Sequence, residues 1–224
     1  MKMLAPIAVA TLSVGLSSLA RAQTAALSCA GDEASALRQA PLGAARVSPQ
    51  RLTVTWASGS TIFADSGTEE GSLDGTAYRY CGFNPTVGMH LIHKAADGVF
   101  TGVLLDDATG RILPAGQEVL FAPDRTKYFA TVQPDGLDGQ EWYLYARDGS
   151  LIWRGESGIT DHHPSAKYDY FIATLDQPRW SNAGALQSTL LCAIGPPGRS
   201  ATVTLTRGKS GWRWLPHVVC ARAR

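Results

Sequence analysis

Two polar stretches of this chain hold the residue types that hydrolytic chemistry needs. Ser157 stands in Gly155-Glu156-Ser157-Gly158, a loop of the kind that presents a hydroxyl to solvent. A serine becomes a nucleophile only when a histidine base and an orienting carboxylate lie within hydrogen-bonding reach. His90 and His93 are the histidines that precede Ser157, and both are far from it along the chain.

The Ser157 loop resembles the nucleophile loop of chymotrypsin-like serine proteases, which are exported, all-β and disulfide-bonded. This chain departs from that family twice: neither upstream histidine stands in Ala-Ala-His-Cys, and Ile159 occupies the place of the second glycine after the serine. The Gly-x-Ser-x-Gly elbow of the α/β-hydrolases does not occur in the sequence. We therefore expect Ser157 to be a turn residue that follows the strand containing Trp153.

The second stretch, Asp161-His162-His163, carries carboxylate and imidazole groups that suit zinc or copper. Adjacent histidines on an extended chain point to opposite sides, so only a turn at Pro164 would bring both to one ion. A catalytic zinc needs about three protein ligands, and the third would have to come from elsewhere, such as His90 or Asp107. A polar surface loop is the simpler interpretation, and we assign no metal ligand.

The remaining polar candidates favour structural roles. His90 and His93 lie three residues apart on a predicted strand and should face opposite sides of the sheet. Asp106-Asp107 precedes Ala108-Thr109-Gly110 and lacks the Asp-x-Asp-x-Asp-Gly spacing of a calcium loop, so a turn is predicted. The glycines are scattered through predicted turns and none opens a helix, so no nucleotide cofactor is predicted.

The N-terminus predicts export. Lys2, an apolar stretch from Leu4 to Leu19, and Ala20-Arg21-Ala22 form a signal peptide that would be cleaved after Ala22, which places the protein in the periplasm or outside the cell. A lipoprotein anchored at Cys29 is the alternative, but it would leave an odd thiol among the other cysteines. After residues 1–22 we expect an N-terminal extension at 23–50 and one all-β domain at 51–224.

Four cysteines in an exported chain predict two disulfides, with three possible connectivities. We expect Cys29 to pair with Cys81 and Cys192 with Cys220, because this arrangement closes one loop at each end of the chain. A four-thiolate zinc site is the rival interpretation, but the sequence has no Cys-x-x-Cys pair. The net charge of +1 and the 17% of charged residues give no electrostatic reason to expect binding to nucleic acid or an anionic membrane.

Alternating apolar and polar residues recur along the chain and predict short strands. "RLTVTW", "EWYLY" and "ATVTLT" show this period of two, and Asp-Gly or Thr-Gly pairs separate many of the runs. Asp148-Gly149 lies between "EWYLYAR" and "SLIWRG" and predicts a hairpin in which both turn residues have positive φ. A short helix is predicted only at "DEASALRQA", ending at Pro41. The fold class is therefore all-β.

The stretch "VLFAPDRTKYFATV" predicts two strands joined by a turn at Pro123-Asp124. It resembles the Phe-Ser-Pro-Asp-Gly phrase of WD-repeat-like propeller blades, with Ala122 and Arg125 in place of the serine and the glycine. Leu105 to Gly110 and Pro178-Arg179-Trp180 add a resemblance to uncharacterised exported bacterial proteins. This resemblance implies a small irregular β-propeller-like fold and no activity, and the alternative is a two-sheet β-sandwich.

Aromatic side chains are available for contact with a ligand. In "EWYLY", Trp142 and Tyr143 face opposite sides of one strand, so one side can be exposed, whereas Trp212 and Trp214 share one face as core residues would. The sequence thus favours an exported module that binds an unknown protein or glycan, without catalysis. The alternative is a secreted hydrolase or metal-dependent enzyme whose residues converge without a motif. No cofactor is predicted.

Overall fold

The computed structural model describes residues 25–41, 43–66, 75–96, 98–133, 139–161, 170–194 and 198–220. The predicted signal peptide and the histidine pair His162-His163 lie outside these residues. Of the described residues 64% are in strands and 4% in helix, which confirms the all-β class. In this part of the chain no helix has the length and apolar character needed to cross a bilayer.

Seventeen strands and one helix follow one another along the described chain. They are β1 (Ala26–Ser28), α1 (Glu33–Arg38), β2 (Ala44–Ser48), β3 (Arg51–Trp56), β4 (Gly59–Ala64), β5 (Thr76–Asn84), β6 (Met89–Ala96), β7 (Val99–Asp106), β8 (Ile112–Ala115), β9 (Glu118–Phe121), β10 (Lys127–Val132), β11 (Glu141–Ala146), β12 (Leu151–Glu156), β13 (Gly158–Asp161), β14 (Tyr170–Trp180), β15 (Leu186–Cys192), β16 (Ser200–Gly208) and β17 (Gly211–Leu215).

The strands form four antiparallel sheets in chain order. Sheet I contains β2–β4, sheet II β5–β8, sheet III β9–β12 and sheet IV β13–β17. The N-terminal strand β1 joins sheet III beside β9, with Leu27 opposite Val119. Four successive meanders match the blade-like units implied by the sequence better than two sheets of a sandwich do. Because β1 joins the third sheet, it does not link the first sheet to the last, as a ring-closing strand would.

Three buried apolar clusters lie between consecutive sheets. Sheets I and II share Leu52, Val54, Tyr80, Ile92 and Leu105. Sheets II and III share a second cluster, which includes Leu27, Met89, Leu104, Phe121 and Tyr128. Sheets III and IV share a third, which includes Phe129, Trp142, Leu175, Val203 and Leu205. Alternate residues of a strand face opposite sides, so β10 sends Tyr128 to one cluster and Phe129 to the other.

Both predicted hairpins form. In the β9–β10 hairpin, Arg125 N donates to Ala122 O at 2.8 Å, which places Pro123 and Asp124 at the centre of the turn. The Asp124 carboxylate accepts from Thr126 N at 3.1 Å, as expected of a turn aspartate. Arg125 has φ 57°, in the position where the propeller phrase carries glycine.

The β11–β12 turn is built differently from the prediction. Gly149 has φ 87°, but Asp148 is not among the described residues with positive φ. Gly149 N donates to Ala146 O at 2.9 Å, so Arg147 and Asp148 are the central residues and Gly149 follows them. This longer turn needs only one positive φ, at Gly149, and the Asp148 carboxylate stabilises it by accepting from Ser150 N at 2.9 Å.

The segment predicted as an N-terminal extension contributes β1, α1 and β2 to the fold. Asp32 caps α1 by accepting from Ser35 N at 2.8 Å, and the helix packs through Ala36 and Leu37 on the cluster between sheets I and II. Arg46 pairs with Glu33 at 2.9 Å and so ties the helix to β2. These contacts hold the N-terminal segment beside sheets I and II.

The structure forms both disulfides that the sequence predicts. Cys29 bonds to Cys81, which joins the end of β1 to β5, and Cys192 bonds to Cys220, which joins β15 to the C-terminal segment. The first bridge connects sheet III to sheet II and the second lies within the region of sheet IV. Two disulfides fit an oxidising, extracellular compartment.

Candidate functional site

Ser157 connects β12 to β13 and is almost completely buried. Its hydroxyl oxygen accepts a hydrogen bond from Gln140 N at 2.9 Å, its N–H donates to Gln140 O, and its carbonyl accepts from Leu175 N. Within the described part of the chain, all hydrogen bonds of Ser157 go to main-chain groups. The serine therefore joins sheets III and IV, and this geometry matches the turn role predicted for it.

Asp106 also has the predicted turn role. One of its carboxylate oxygens accepts from Ala108 N and from Thr109 N, both at 3.0 Å, and Gly110 closes the turn with φ 71°. Trp56 of sheet I lies against Gly110, where a Cβ atom would overlap the indole ring. This turn thus holds sheet I against sheet II, in addition to linking β7 with β8.

Asp107 contacts His90. From the sequence these two residues are related only as candidate ligands of a metal ion. The fully buried His90 ring lies between two groups: its Nε2 is 3.2 Å from Asp107 Oδ1 and its Nδ1 is 3.0 Å from the Tyr80 hydroxyl. The geometry assigns the donors, because a carboxylate can only accept. His90 Nε2–H donates to Asp107, and the Tyr80 O–H donates to Nδ1. Both ring nitrogens are satisfied by a neutral imidazole.

Burial determines the protonation state of this trio. Burial lowers the pKa of His90, although the Asp107 carboxylate opposes the shift, so the ring is neutral near pH 7. Burial also raises the pKa of Tyr80 far above its usual value, with a smaller contribution from Asp107. A tyrosine whose anion is so disfavoured is a poor nucleophile. The trio is a satisfied polar network in the core between sheets I and II.

His93 faces the other side of sheet II, as predicted from its spacing to His90. Its ring is half-buried and stacks on Phe100, with 5.9 Å between the ring centroids. Burial and the neighbouring Arg79 guanidinium lower the pKa of His93, so this imidazole is also neutral near pH 7. His93 opens onto a cleft that no sequence motif predicted.

The cleft lies where the ends of β1, β9 and β11 in sheet III meet β5 and β6 of sheet II, and its volume is about 200 Å³. Its lining residues are Ser28, Cys29, Ala30, Arg79, His93, Gln117, Glu118 and Gln140. Strand pairing brings half of them together: Ser28 lies opposite Glu118, and Arg79 lies opposite His93. Only the sheet register places such distant positions side by side, which explains why the sequence offered no signal for it.

Arg79 and the Cys29–Cys81 bridge give the cleft a rigid wall. The Arg79 guanidinium donates to the carbonyl oxygens of Cys29 and Gly31, each at 2.6 Å. The disulfide holds the same segment from the other side, with 4.8 Å between the two Cα atoms. The segment that follows β1 is therefore fixed to β5 by one covalent bond and two charge-assisted hydrogen bonds.

Other polar side chains of the cleft have unused bonding capacity. Among the described residues, no hydrogen bond or ion pair involves the Gln117 amide or the Glu118 carboxylate. The His93 ring nitrogens likewise have no hydrogen-bond partner in this part of the chain. The Gln140 side chain uses its oxygen, which accepts from Trp142 Nε1 at 3.4 Å, and this leaves its NH₂ group. These groups can bind a polar ligand.

The aromatic residues of β11 divide between two environments. Trp142 and Leu144 are buried between sheets III and IV, where Trp212 and Trp214 also pack, as expected of core residues. On the opposite face, the rings of Tyr143 and Tyr145 stack with centroids 5.8 Å apart. The Arg154 guanidinium covers one face of the Tyr143 ring, and the Tyr143 hydroxyl donates to Glu141. Burial and this carboxylate raise the pKa of Tyr143 to about 12.

Metal binding finds no support in the residues that the structure describes, since no three His, Cys, Asp or Glu side chains converge there. His162 and His163 lie outside those residues.

No family model matches the chain, and comparisons with curated proteins and with solved structures give no match. The resemblance to exported propeller-like proteins stays a prediction, and the function has to be inferred from the geometry of the cleft.

Proposed function

We propose that the mature chain is exported to the periplasm or the cell exterior and acts there as a non-catalytic binding module, with the polar cleft as its ligand site. Two disulfides support an oxidising destination. The signal peptide predicted at residues 1–22 supports export.

The observation that carries this proposal is the set of polar side chains without partners in a walled cleft. Polar groups in a folded protein usually hydrogen-bond to protein or water. In the described residues the side chains of Gln117, Glu118 and His93 have no protein hydrogen-bond partner; the first and last are half-buried, Glu118 is exposed, and all three line one concave site. A rigid cleft with free donors and acceptors can bind a ligand without first reorganising, which lowers the entropic cost of binding.

The burial of the candidate catalytic residues supports a function without catalysis. Ser157 and His90 are both buried and hydrogen-bonded, and neither is among the residues that line the cleft. The cleft presents planar amide, carboxylate and imidazole groups and a serine, Ser28, whose hydroxyl accepts from Ala30 N at 3.2 Å. These are groups that position a ligand.

An Ala30→Trp variant tests the proposal. Ala30 is exposed on the cleft wall, so an indole there would fill the site while the main chain keeps its bonds. We expect the immobilised mature protein to retain a component of periplasmic and envelope extracts. The amount retained by Ala30→Trp should be at least about tenfold lower. Retention is measured by quantifying bound material from labelled extracts.

Ala183→Trp provides the matched control, because Ala183 is an exposed turn residue at the far end of sheet IV and accepts the same substitution. This variant should bind as the wild type does. Equal retention by Ala30→Trp and wild type would show that the cleft is not the site, and unimpaired folding of both variants is checked by circular dichroism.

A further inference from the structure

The charge of the cleft restricts its ligand. Arg79 supplies one positive charge, Glu118 one negative charge, and His93 is neutral near pH 7 because burial and Arg79 disfavour its protonation. The other lining residues are two glutamines, a serine, an alanine and a disulfide-bonded cysteine. An anion would meet Glu118 and a cation would meet Arg79, so a ligand without net charge fits this surface best.

The remaining hydrogen-bonding groups favour hydroxyls over ionic groups. Each terminal guanidinium nitrogen of Arg79 already donates one hydrogen bond, to the carbonyl of Gly31 or of Cys29, so two of its five N–H donors are used within the protein. A zwitterion such as a free amino acid would therefore find fewer Arg79 donors for its carboxylate. Hydroxyl groups both donate and accept, and they match a mixture of carboxylate, amide and neutral imidazole.

An aromatic surface borders these polar groups. His93 lines the cleft and stacks nearly parallel on Phe100, with an interplanar angle of 17°. Phe100, on β7 of sheet II, is 39% exposed, so part of its ring is open to solvent next to His93. The C–H face of a sugar ring packs on such rings while its hydroxyls bond to neighbouring polar groups.

The size of the cleft limits how much of a ligand it takes. A volume of about 200 Å³ is smaller than the roughly 300–1,000 Å³ of pockets that enclose drug-sized molecules. One ring-sized unit fills it, and the rest of a longer molecule would extend into solvent through the open side.

We propose that the cleft binds one neutral saccharide unit, such as the end of an envelope glycan, through Gln117, Glu118 and Gln140 with His93 and Phe100 as its aromatic border. The inference rests on the proposed function, because it names the ligand class of the same cleft.

The experiment titrates the mature, oxidised protein with methyl glycosides of glucose, galactose, mannose and N-acetylglucosamine, and with alanine and acetate as rival ligands. Binding is followed by backbone amide shifts in ¹H–¹⁵N NMR spectra. At least one glycoside should shift the amides of Ser28, Arg79, Glu118 and Gln140 saturably. Glu118→Ala should weaken this binding at least about tenfold, because it removes a charged acceptor.

Glu156→Ala is the matched control, since Glu156 is exposed at the end of β12 and does not line the cleft; it should leave the affinity unchanged. No response to any glycoside, or saturable binding of alanine or acetate alone, would overturn the saccharide assignment. In that case, loss of extract binding in Ala30→Trp would still support the binding module. Glycoside binding that survives Ala30→Trp would place the sugar elsewhere and overturn the saccharide assignment for the cleft.

Discussion

His90 illustrates how a polar residue becomes part of a core in this molecule. It is fully buried, yet each ring nitrogen has a partner, so the cost of removing the ring from water is offset by two hydrogen bonds. Asp107 keeps its carboxylate at the surface, with 38% of the side chain exposed, and reaches inward to the ring. The trio therefore buries no unpaired charge.

The lowered pKa of His90 predicts a pH-dependent stability. Because the folded-state pKa lies below the unfolded value of about 6.5, the unfolded chain binds a proton more readily in the interval between the two values. The free energy of unfolding should thus be fully retained above about pH 6.5 and should fall as pH decreases through this interval. His93 contributes in the same direction.

His90→Gln tests this. Glutamine can still bond to both neighbours but does not titrate, so the loss of unfolding free energy between about pH 7.5 and about pH 5.5 should be smaller in the variant than in the wild type. Urea unfolding at both pH values measures it. Tyr80→Phe is the control that keeps the titrating ring: it should lower stability by about 1 kcal/mol and retain more of the pH dependence than His90→Gln does, since the burial of His90 remains. An unchanged slope in His90→Gln would contradict the assignment.

At the scale of elements, sheets II and III approach each other closely at the connection between β8 and β9. Gln117 N donates to Thr131 O at 2.8 Å, and a Cβ atom at Gly116 would overlap the main chain of Thr131. A Cβ at Gly102 would likewise meet the Gly116 carbonyl. These glycines are needed for close approach of three main-chain segments, and this approach sets the distance between the two walls of the cleft.

Gly116→Ala is expected to destabilise the fold by about 3 kcal/mol, because main chain rather than a flexible side chain must move. Gly31→Ala is the control, since nothing lies within 4 Å of a Cβ there, and it should change stability by no more than about 0.5 kcal/mol. Both values come from urea unfolding monitored by tryptophan fluorescence. Equal stabilities of the two variants would mean that the sheets are not packed this closely.

For the whole molecule, the two disulfides act on different parts of the structure. Cys29–Cys81 closes a loop of 52 residues and Cys192–Cys220 one of 28. In the loop-entropy model their contributions are both about 4 kcal/mol and differ by only about 0.5 kcal/mol. Their effects on function should differ much more, because only the first bridge holds a wall of the cleft.

Removing each bridge by a pair of Cys→Ala substitutions should therefore lower the free energy of unfolding by about 3–4 kcal/mol in both variants. Only the variant without Cys29–Cys81 should also lose binding of the extract component. Unfolding curves and the retention assay measure the two effects. If loss of Cys192–Cys220 weakened binding as much, ligand binding would depend on the whole fold and not on the local wall.

The local patterns of the sequence predicted much of this protein. Alternation in "EWYLY" and "ATVTLT" predicted strands whose alternate residues are buried, and Pro123-Asp124 predicted the turn that the structure forms. Such features depend on neighbours within a few residues, where propensity and side-chain period act directly. The pairing of the cysteines followed from closing one loop at each end of the chain.

The tertiary structure alone decided the cleft and the buried trio. Tyr80, His90 and Asp107 meet because β5, β6 and β7 pair in one register. The cleft combines Ser28, Arg79, Glu118 and Gln140 from strand ends far apart in the chain. A change of one residue in strand register turns each side chain to the other face, so no spacing within the sequence determines such a site.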